Sequence, residues 1–226
     1  MPERREFTPR VRARAKHRDA SLIVIATEGI KTEHAYFNGL IEMPNYHSPR
    51  LHVEVLERLC EGNSSPEEVI KSLDDFKRKF KLHPERGDQL WMVCDVDRWD
   101  RGMLSEVASL CLQKEYCLAI SNPCFELWLL LHHKDLMDYP VASLDEFRGN
   151  RRVTGKRTRL DQELLAVIGH YDKSNLRIKD FGPHIDLAIQ RARAIDNDSE
   201  ARWPQDLGSR VYLLIESIRR IINYQG

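Results

Sequence analysis

The chain has 226 residues, 42% of them hydrophobic and 31% charged, with 35 basic residues balanced by 35 acidic ones. That composition describes a globular protein with a sizeable core, built as one large domain or one domain plus an extension, and excludes disordered and fibrous classes. No apolar run approaches the roughly 20 residues needed to span a bilayer, and the arginine-rich start lacks the apolar stretch of a secretory signal, so a cytoplasmic protein without a membrane partner is expected.

Residues 1–20 carry Arg4, Arg5, Arg10, Arg12, Arg14, Lys16 and Arg18 against three acids and read as a basic, flexible tail. The regular pattern starts at residue 21. Leu22-Ile23-Val24-Ile25-Ala26 is a short continuous apolar run, as in a strand covered on both faces. Residues 31–42 predict a helix through Ala35, Tyr36 and Leu40. Leu51, Val53 and Val55 alternate with His52 and Glu54, the pattern of an edge strand. Ser65 then serves as an N-cap with Pro66 at the first helical position, and Val69, Leu73, Phe76 and Phe80 form one apolar stripe.

Leu90-Trp91-Met92-Val93-Cys94 is a second buried-strand run, followed by a helix over 102–114 that Asp100 is placed to cap. Tyr116-Cys117-Leu118-Ala119-Ile120 is a fourth strand, and Asn122-Pro123 opens a helix through Phe125, Leu127, Trp128 and Leu131, with Asn122 as cap and His132-His133 at a polar helix end. Beyond residue 135 the strand signal stops, and 157–170, 183–196 and 208–223 read as helices. Strands alternating with helices give right-handed βαβ units and a four-stranded, mostly parallel sheet flanked by helices. The expected organisation is a tail over 1–20, an α/β domain over 21–135 and a mainly helical region over 136–226.

Five cysteines, Cys60, Cys94, Cys111, Cys117 and Cys124, contain no C-x-x-C pair and sit mostly in apolar runs, as reduced, buried thiols do. A second basic cluster comprises Arg148, Arg151, Arg152, Lys156, Arg157 and Arg159. The two clusters either neutralise phosphates or are solvated segments. Gly149 to Gly155-Lys156 imitates a phosphate-binding loop but has five residues between the glycines, Arg157 in place of Ser or Thr, and no strand leading in.

Two strands end in acids: Thr27-Glu28-Gly29 after the first, and Asp95-Val96-Asp97 after the third. Ligands of open parallel sheets bind beyond the carboxyl ends of the strands. Three carboxylates brought together there stay ionised only beside a cation, and oxygen-only ligands select a hard ion such as Mg²⁺ (or Mn²⁺), which suits phosphodiester chemistry. The competing reading is exposed loop acids that cap the following helices. Glu126 sits either in a first helical turn, where the dipole favours negative charge, or in the acidic site. Lys31 meets a substrate phosphate or is simply solvated.

Glu28-Gly29-x-Lys31-Thr32-Glu33-x-x-Tyr36-Phe37, then Asp95-Val96-Asp97, then Ser121-Asn122-Pro123-Cys124-Phe125-Glu126-Leu127-Trp128-Leu129-Leu130-Leu131-His132 resemble the RloB family, and AbiLii-type abortive-infection proteins are similar. The resemblance covers about residues 20–135, and beyond it Tyr171-x-Lys173 still fits. It implies a Toprim-like fold, with Glu28 as acid/base or metal-linked carboxylate and Asp95 and Asp97 as metal ligands. It also implies a metal-dependent nuclease in bacterial anti-phage defence, RNA or tRNA ahead of DNA, working with a separate ABC/AAA-type ATPase. The alternative is a non-catalytic scaffold that regulates that ATPase. Whether the chain forms a homo-oligomer stays open.

Overall fold

A computed structural model describes residues 20–57, 65–82, 84, 87–155, 157–198 and 200–223. The basic residues of the N-terminal segment, Cys60 and Lys156 lie outside them. The apolar runs form β1 (Ser21–Thr27), β2 (Leu51–Val55), β3 (Gln89–Asp95) and β4 (Cys117–Asn122), paired in parallel in the order β2-β1-β3-β4. β2 is an edge strand, as its alternating pattern predicts. Between them run α1 (Thr32–Ile41), α2 (Pro66–Phe80), α3 (Arg101–Lys114) and, after β4, α4 (Phe125–Leu131).

Side chains alternate across the sheet with a period of two. Ile23, Ile25, Trp91 and Val93 face α1 and α4, while Leu22, Val24, Leu90 and Met92 face α2 and α3. The helix starts follow the caps read from sequence: Ser65 Oγ accepts from Glu68 N at 3.4 Å, and Asp100 Oδ1 accepts from Met103 N at 2.9 Å. Because β2 lies on one side of β1 and β3 on the other, the chain reverses its direction of travel between β1 and β3. The carboxyl ends of these two strands therefore flank a crevice, the usual ligand position in such sheets.

The C-terminal region contains short strands besides its helices. It forms α5 (Val141–Gly149), β5 (Arg152–Thr154), β6 (Arg157–Thr158), α6 (Arg159–Ile168), α7 (Ile185–Ile195), β7 (Gly208–Ser209) and α8 (Val211–Asn223). β7 pairs antiparallel with β4 and makes the sheet five-stranded, and β5 and β6 form a separate hairpin. Strands of two or three residues are too short to leave a period-two signature. Gly149 ends α5 and Gly155 lies in the hairpin turn, so that segment is no phosphate-binding loop.

Two local expectations fail around α4. Asn122 is not its cap: it is the last residue of β4, and its Nδ2 donates to the Pro204 carbonyl at 2.9 Å. The Asn122–Pro123 peptide is cis, and the helix begins only at Phe125, with Cys124 in the cap position and no side-chain cap. His132 is not at a polar end either. It is fully buried, with Nε2 3.1 Å from Tyr36 Oη and Nδ1 2.9 Å from the Trp128 carbonyl, because Phe181 closes over it. Burial pushes its pKa down to about 3, so the ring is neutral at physiological pH.

All seven residues of α4 are buried, which marks a helix enclosed on every side. α6, α7 and α8 share its hydrophobic core, so the C-terminal helices pack into the same core as one face of the parallel sheet. Cys94, Cys111 and Cys124 are buried free thiols and Cys117 is half-buried. Among the described residues no helix is long and apolar enough to cross a membrane.

The enclosure of α4 predicts a large effect of truncation at its centre. Trp128→Ala should lower the free energy of unfolding by about 3–5 kcal/mol, read from urea denaturation. A change below about 1 kcal/mol would show that the site can collapse around the missing ring and is not the rigid centre of the core.

Candidate functional site

The ladder between β1 and β3 continues one residue past β1, with Glu28 N donating to the Val93 carbonyl at 2.9 Å. This carries the Glu28 side chain to the end of β3. Its Oε2 accepts from Trp99 Nε1 at 2.9 Å and, at a longer 3.4 Å, from Asp95 N, while its Oε1 meets Arg98 Nη1 at 3.4 Å. The carbonyl of Pro123 accepts from both Val96 N (3.1 Å) and Asp97 N (3.0 Å), which ties the Asp95-Val96-Asp97 turn to the entry of α4. Glu126, in the first turn of α4, thereby joins the end of β3.

A fifth carboxylate comes from α1. Glu33 is buried and lies over the β1–α1 turn, where a Cβ added to Gly29 would sit 1.9 Å from Glu33 Oε2. Glycine at this position thus makes room for a carboxylate. Glu28, Glu33, Asp95 and Glu126 are buried, while Asp97 stands at the mouth, open to solvent.

The C-terminal region supplies the remaining contacts. Asn150, in left-handed conformation (φ 36°) at the end of α5, donates through Nδ2 to Asp97 Oδ2 (3.3 Å) and Cys124 Sγ (3.2 Å). Its Oδ1 accepts from Leu160 N at 3.1 Å. Tyr171 Oη donates to Glu126 Oε1 at 3.0 Å, and Lys173 Nζ lies 2.9 Å from that oxygen and 3.0 Å from Asp161 Oδ1. Asp161 is buried and also closes the capping box of α6 with Thr158.

The electrostatics follow from this crowding. Burial, then repulsion from Glu33, Glu126, Glu28 and Asp97, raises Asp95 well above the usual carboxylate range. Burial and the charge of Glu126 push Glu33 up to about 7. Glu28 is raised by burial, against the opposing pull of Trp99, Arg98 and the Asp95 amide. The protein around Asp97 raises it too, with Asn150 and Arg98 opposing. For Glu126 burial acts upward, but the Lys173 ammonium outweighs it and the net shift is downward.

Glu28, Asp95, Asp97 and Glu126 are therefore brought to one place, and sequence reasoning missed Glu33, Asn150 and Asp161 as their neighbours. Glu33 lies five residues after Glu28 inside the quoted motif, which is the one available signal; Asn150 and Asp161 look like an ordinary helix end and an ordinary capping box. Lys31 is exposed at the cap position of α1, on the same rim. Arg151 and Arg152 are exposed and Arg157 is half-buried on the β5–β6 hairpin that follows Asn150.

All the donors of the cluster are oxygens, and Asp95 Oδ1 is buried without a hydrogen-bond partner. A hard divalent cation suits that donor set. As placed, however, no three His, Cys, Asp or Glu side chains among the described residues form a group that could hold a metal ion. Ligation would require Asp97 and Glu126 to exchange contacts they now make with Asn150, Tyr171 and Lys173.

These features define an open α/β protein with a carboxylate cluster at its topological switch point. The RloB-like protein family matches residues 23–218, most of the chain, and the protein belongs to that family. No curated protein and no solved structure matches it.

The raised carboxylates fix a sign for the pH dependence of stability. A carboxyl whose pKa is higher folded than unfolded keeps its proton in the native state. Its stabilising contribution is complete below the unfolded value near 4.5 and is lost as pH rises through about 7 for Glu33. Glu33→Gln should therefore flatten the fall in melting temperature between pH 5 and 8, and stabilise the protein at pH 8 on the order of 2 kcal/mol. Parallel melting curves against pH for the two proteins would rule this out.

Proposed function

We propose that this RloB-like protein is a metal-dependent phosphodiester hydrolase of Toprim type that cleaves nucleic acid, RNA including tRNA ahead of DNA. In this reading it is the effector of an anti-phage defence system, with a separate ABC/AAA-type ATPase as partner. The observation that carries the proposal is the cluster of Glu28, Glu33, Asp95, Asp97 and Glu126 at the switch point, with one buried Asp95 oxygen lacking a hydrogen bond. Buried like charges raise one another's proton affinity and are stabilised together only by a cation.

Bound Mg²⁺ or Mn²⁺ would polarise a phosphate and lower the pKa of a coordinated water. Asp95 and Asp97, at the end of β3, are the residues to hold it, with Glu126 beside them. Glu28, held by Trp99 and Arg98, would relay a proton. Half-exposed Arg98 and exposed Lys31 present positive charge to an incoming phosphate. The chain carries no phosphate-binding loop of its own, so a nucleotide-driven switch belongs to the partner.

One observation favours a second reading, a non-catalytic scaffold that regulates the ATPase: the carboxylates do not stand as a metal-ligating group. Two measurements separate the readings. In the hydrolase reading, Mg²⁺ at 100 times its Kd stabilises the protein by about 2.7 kcal/mol, and Asp95→Ala abolishes that gain. Purified protein with Mg²⁺ or Mn²⁺ should also cleave tRNA, mRNA or DNA, with Glu28→Ala slower by about 10²–10⁴-fold. Absence of metal-dependent cleavage even with the ATPase present, together with no stabilisation by the ion, would falsify the hydrolase.

A further inference from the structure

The basic cluster of the C-terminal region divides into two kinds of arginine. Arg148 pairs with Asp145 and Asp206 at 2.7 Å, and Arg159 pairs with Glu146 and Glu163 at 2.7 Å while its guanidinium lies 4.9 Å from the centre of the Phe147 ring. Those two are structural. Arg151, Arg152 and Arg157 have no carboxylate partner among the described residues, although acids are abundant in the chain. All three lie on or next to the short β5–β6 ribbon, whose first strand is exposed along its whole length.

The ribbon is anchored at the acidic site. Arg151, just before its first strand, follows Asn150, whose side-chain amide donates to Asp97, and the Arg151 carbonyl accepts from Arg159 N at 3.0 Å. At about 3.3 Å per residue a three-residue strand projects roughly 10 Å, and its positive charge begins at Arg151, the residue next to the Asn150 that holds Asp97. Between the ribbon and α6 runs an open cleft of about 940 Å³, lined by Thr154, Gly155, Arg157, Gln162, Leu165 and Ala166 among others. Its lining contains no aromatic ring. Single-strand sites that read bases present aromatic stacking platforms, whereas contacts to phosphate from arginine carry affinity without sequence information.

We infer that the β5–β6 ribbon is a binding arm for the sugar–phosphate backbone of a nucleic-acid strand, gripping it without regard to base sequence and delivering it to the acidic cluster. The inference rests on the reading that the substrate is a nucleic-acid polymer, but it is tested by binding and not by cleavage. Arg151 and Arg152 take phosphates on the exposed strand, and Arg157 takes one from the cleft. Three neutralised phosphates correspond to a slope of about −2 in a plot of log affinity against log salt for a single strand.

The test is fluorescence anisotropy of labelled single-stranded RNA and DNA, longer than the roughly 4–16 nucleotides that one such site covers, with the full chain in EDTA so that nothing is cleaved. R151A/R152A/R157A should weaken binding about tenfold near physiological salt and lower the salt slope by about 2. The parent should bind unrelated base sequences with similar affinity. The variant's melting temperature is measured alongside, and R151E/R152E, confined to exposed positions, replaces it if the triple variant is unstable. Affinity and salt slope unchanged in a folded variant overturn the inference and leave the ribbon for another partner. A strong base-sequence preference that the variant retains overturns it as well. A ribbon effect without any cleavage would support the arm while removing the hydrolase, and cleavage with no ribbon effect would do the reverse.

Discussion

Four buried carboxylates and a fifth at their mouth repel one another, and this repulsion is the constraint around which the rest of the protein is arranged. At a separation of about 4 Å and an effective dielectric near 20, a single like-charge pair costs about 4 kcal/mol. The fold answers with fixed dipoles and two cations. Trp99 and the Asp95 amide hold Glu28, the Asn150 amide holds Asp97, Arg98 sits at the rim, and Lys173 bridges Glu126 and Asp161. Asp95 is raised by burial and then by its acidic neighbours, and its buried Oδ1 has no hydrogen-bond partner.

The C-terminal region is part of this arrangement. Asn150 and Lys173 come from the segment after the parallel strands, yet each contacts a carboxylate set by β3 or α4. Both contacts depend on α6, through the Leu160 amide and the Asp161 carboxylate. α6 in turn packs against α4 in the common core. Displacing the C-terminal helices would therefore expose Glu126 without its counter-charge, and packing and electrostatics fail together.

What the sequence makes legible follows from periodicity. Glu28, Asp95 and Asp97 stand out because each ends an apolar run, and Glu126 because it opens an apolar helix. The parallel sheet is legible for the same reason. Glu33 hides on a helix where an acid in the first turn is ordinary, and its role depends on Gly29 leaving space beneath it. Asn150, Asp161 and Lys173 occupy a helix end, a capping box and a loop, whose local chemistry explains them fully until the long-range contact is seen. Asn122 misleads for the opposite reason: Asn-Pro before an apolar helix is a strong cap signal, but a bond to the Pro204 carbonyl, 82 residues away, claims the side chain. β7 is held by pairing with β4 and by the Arg210–Asp196 ion pair beside it, neither of which two residues can advertise.

Net neutrality of the chain conceals a separation of charge that bears on how a polyanion would approach. An acidic cluster alone repels phosphate, and a formal charge of zero offers no long-range attraction. Arg151, Arg152 and Arg157, without a carboxylate partner among the described residues, and half-exposed Arg98 place positive potential around the mouth, while the carboxylates lie deeper, apart from Asp97. A strand can then be held at the rim by phosphates that never enter the cluster, and only the phosphate nearest Asp95 and Asp97 must face the negative interior. If the cluster binds a divalent cation as proposed, the ion would stand between that phosphate and the carboxylates, and metal binding and substrate entry would reinforce each other on electrostatic grounds. In the hydrolase reading, the lack of carboxylate partners for these arginines among the described residues has a consequence: pairing them would neutralise the rim and leave the cluster to repel an incoming phosphate.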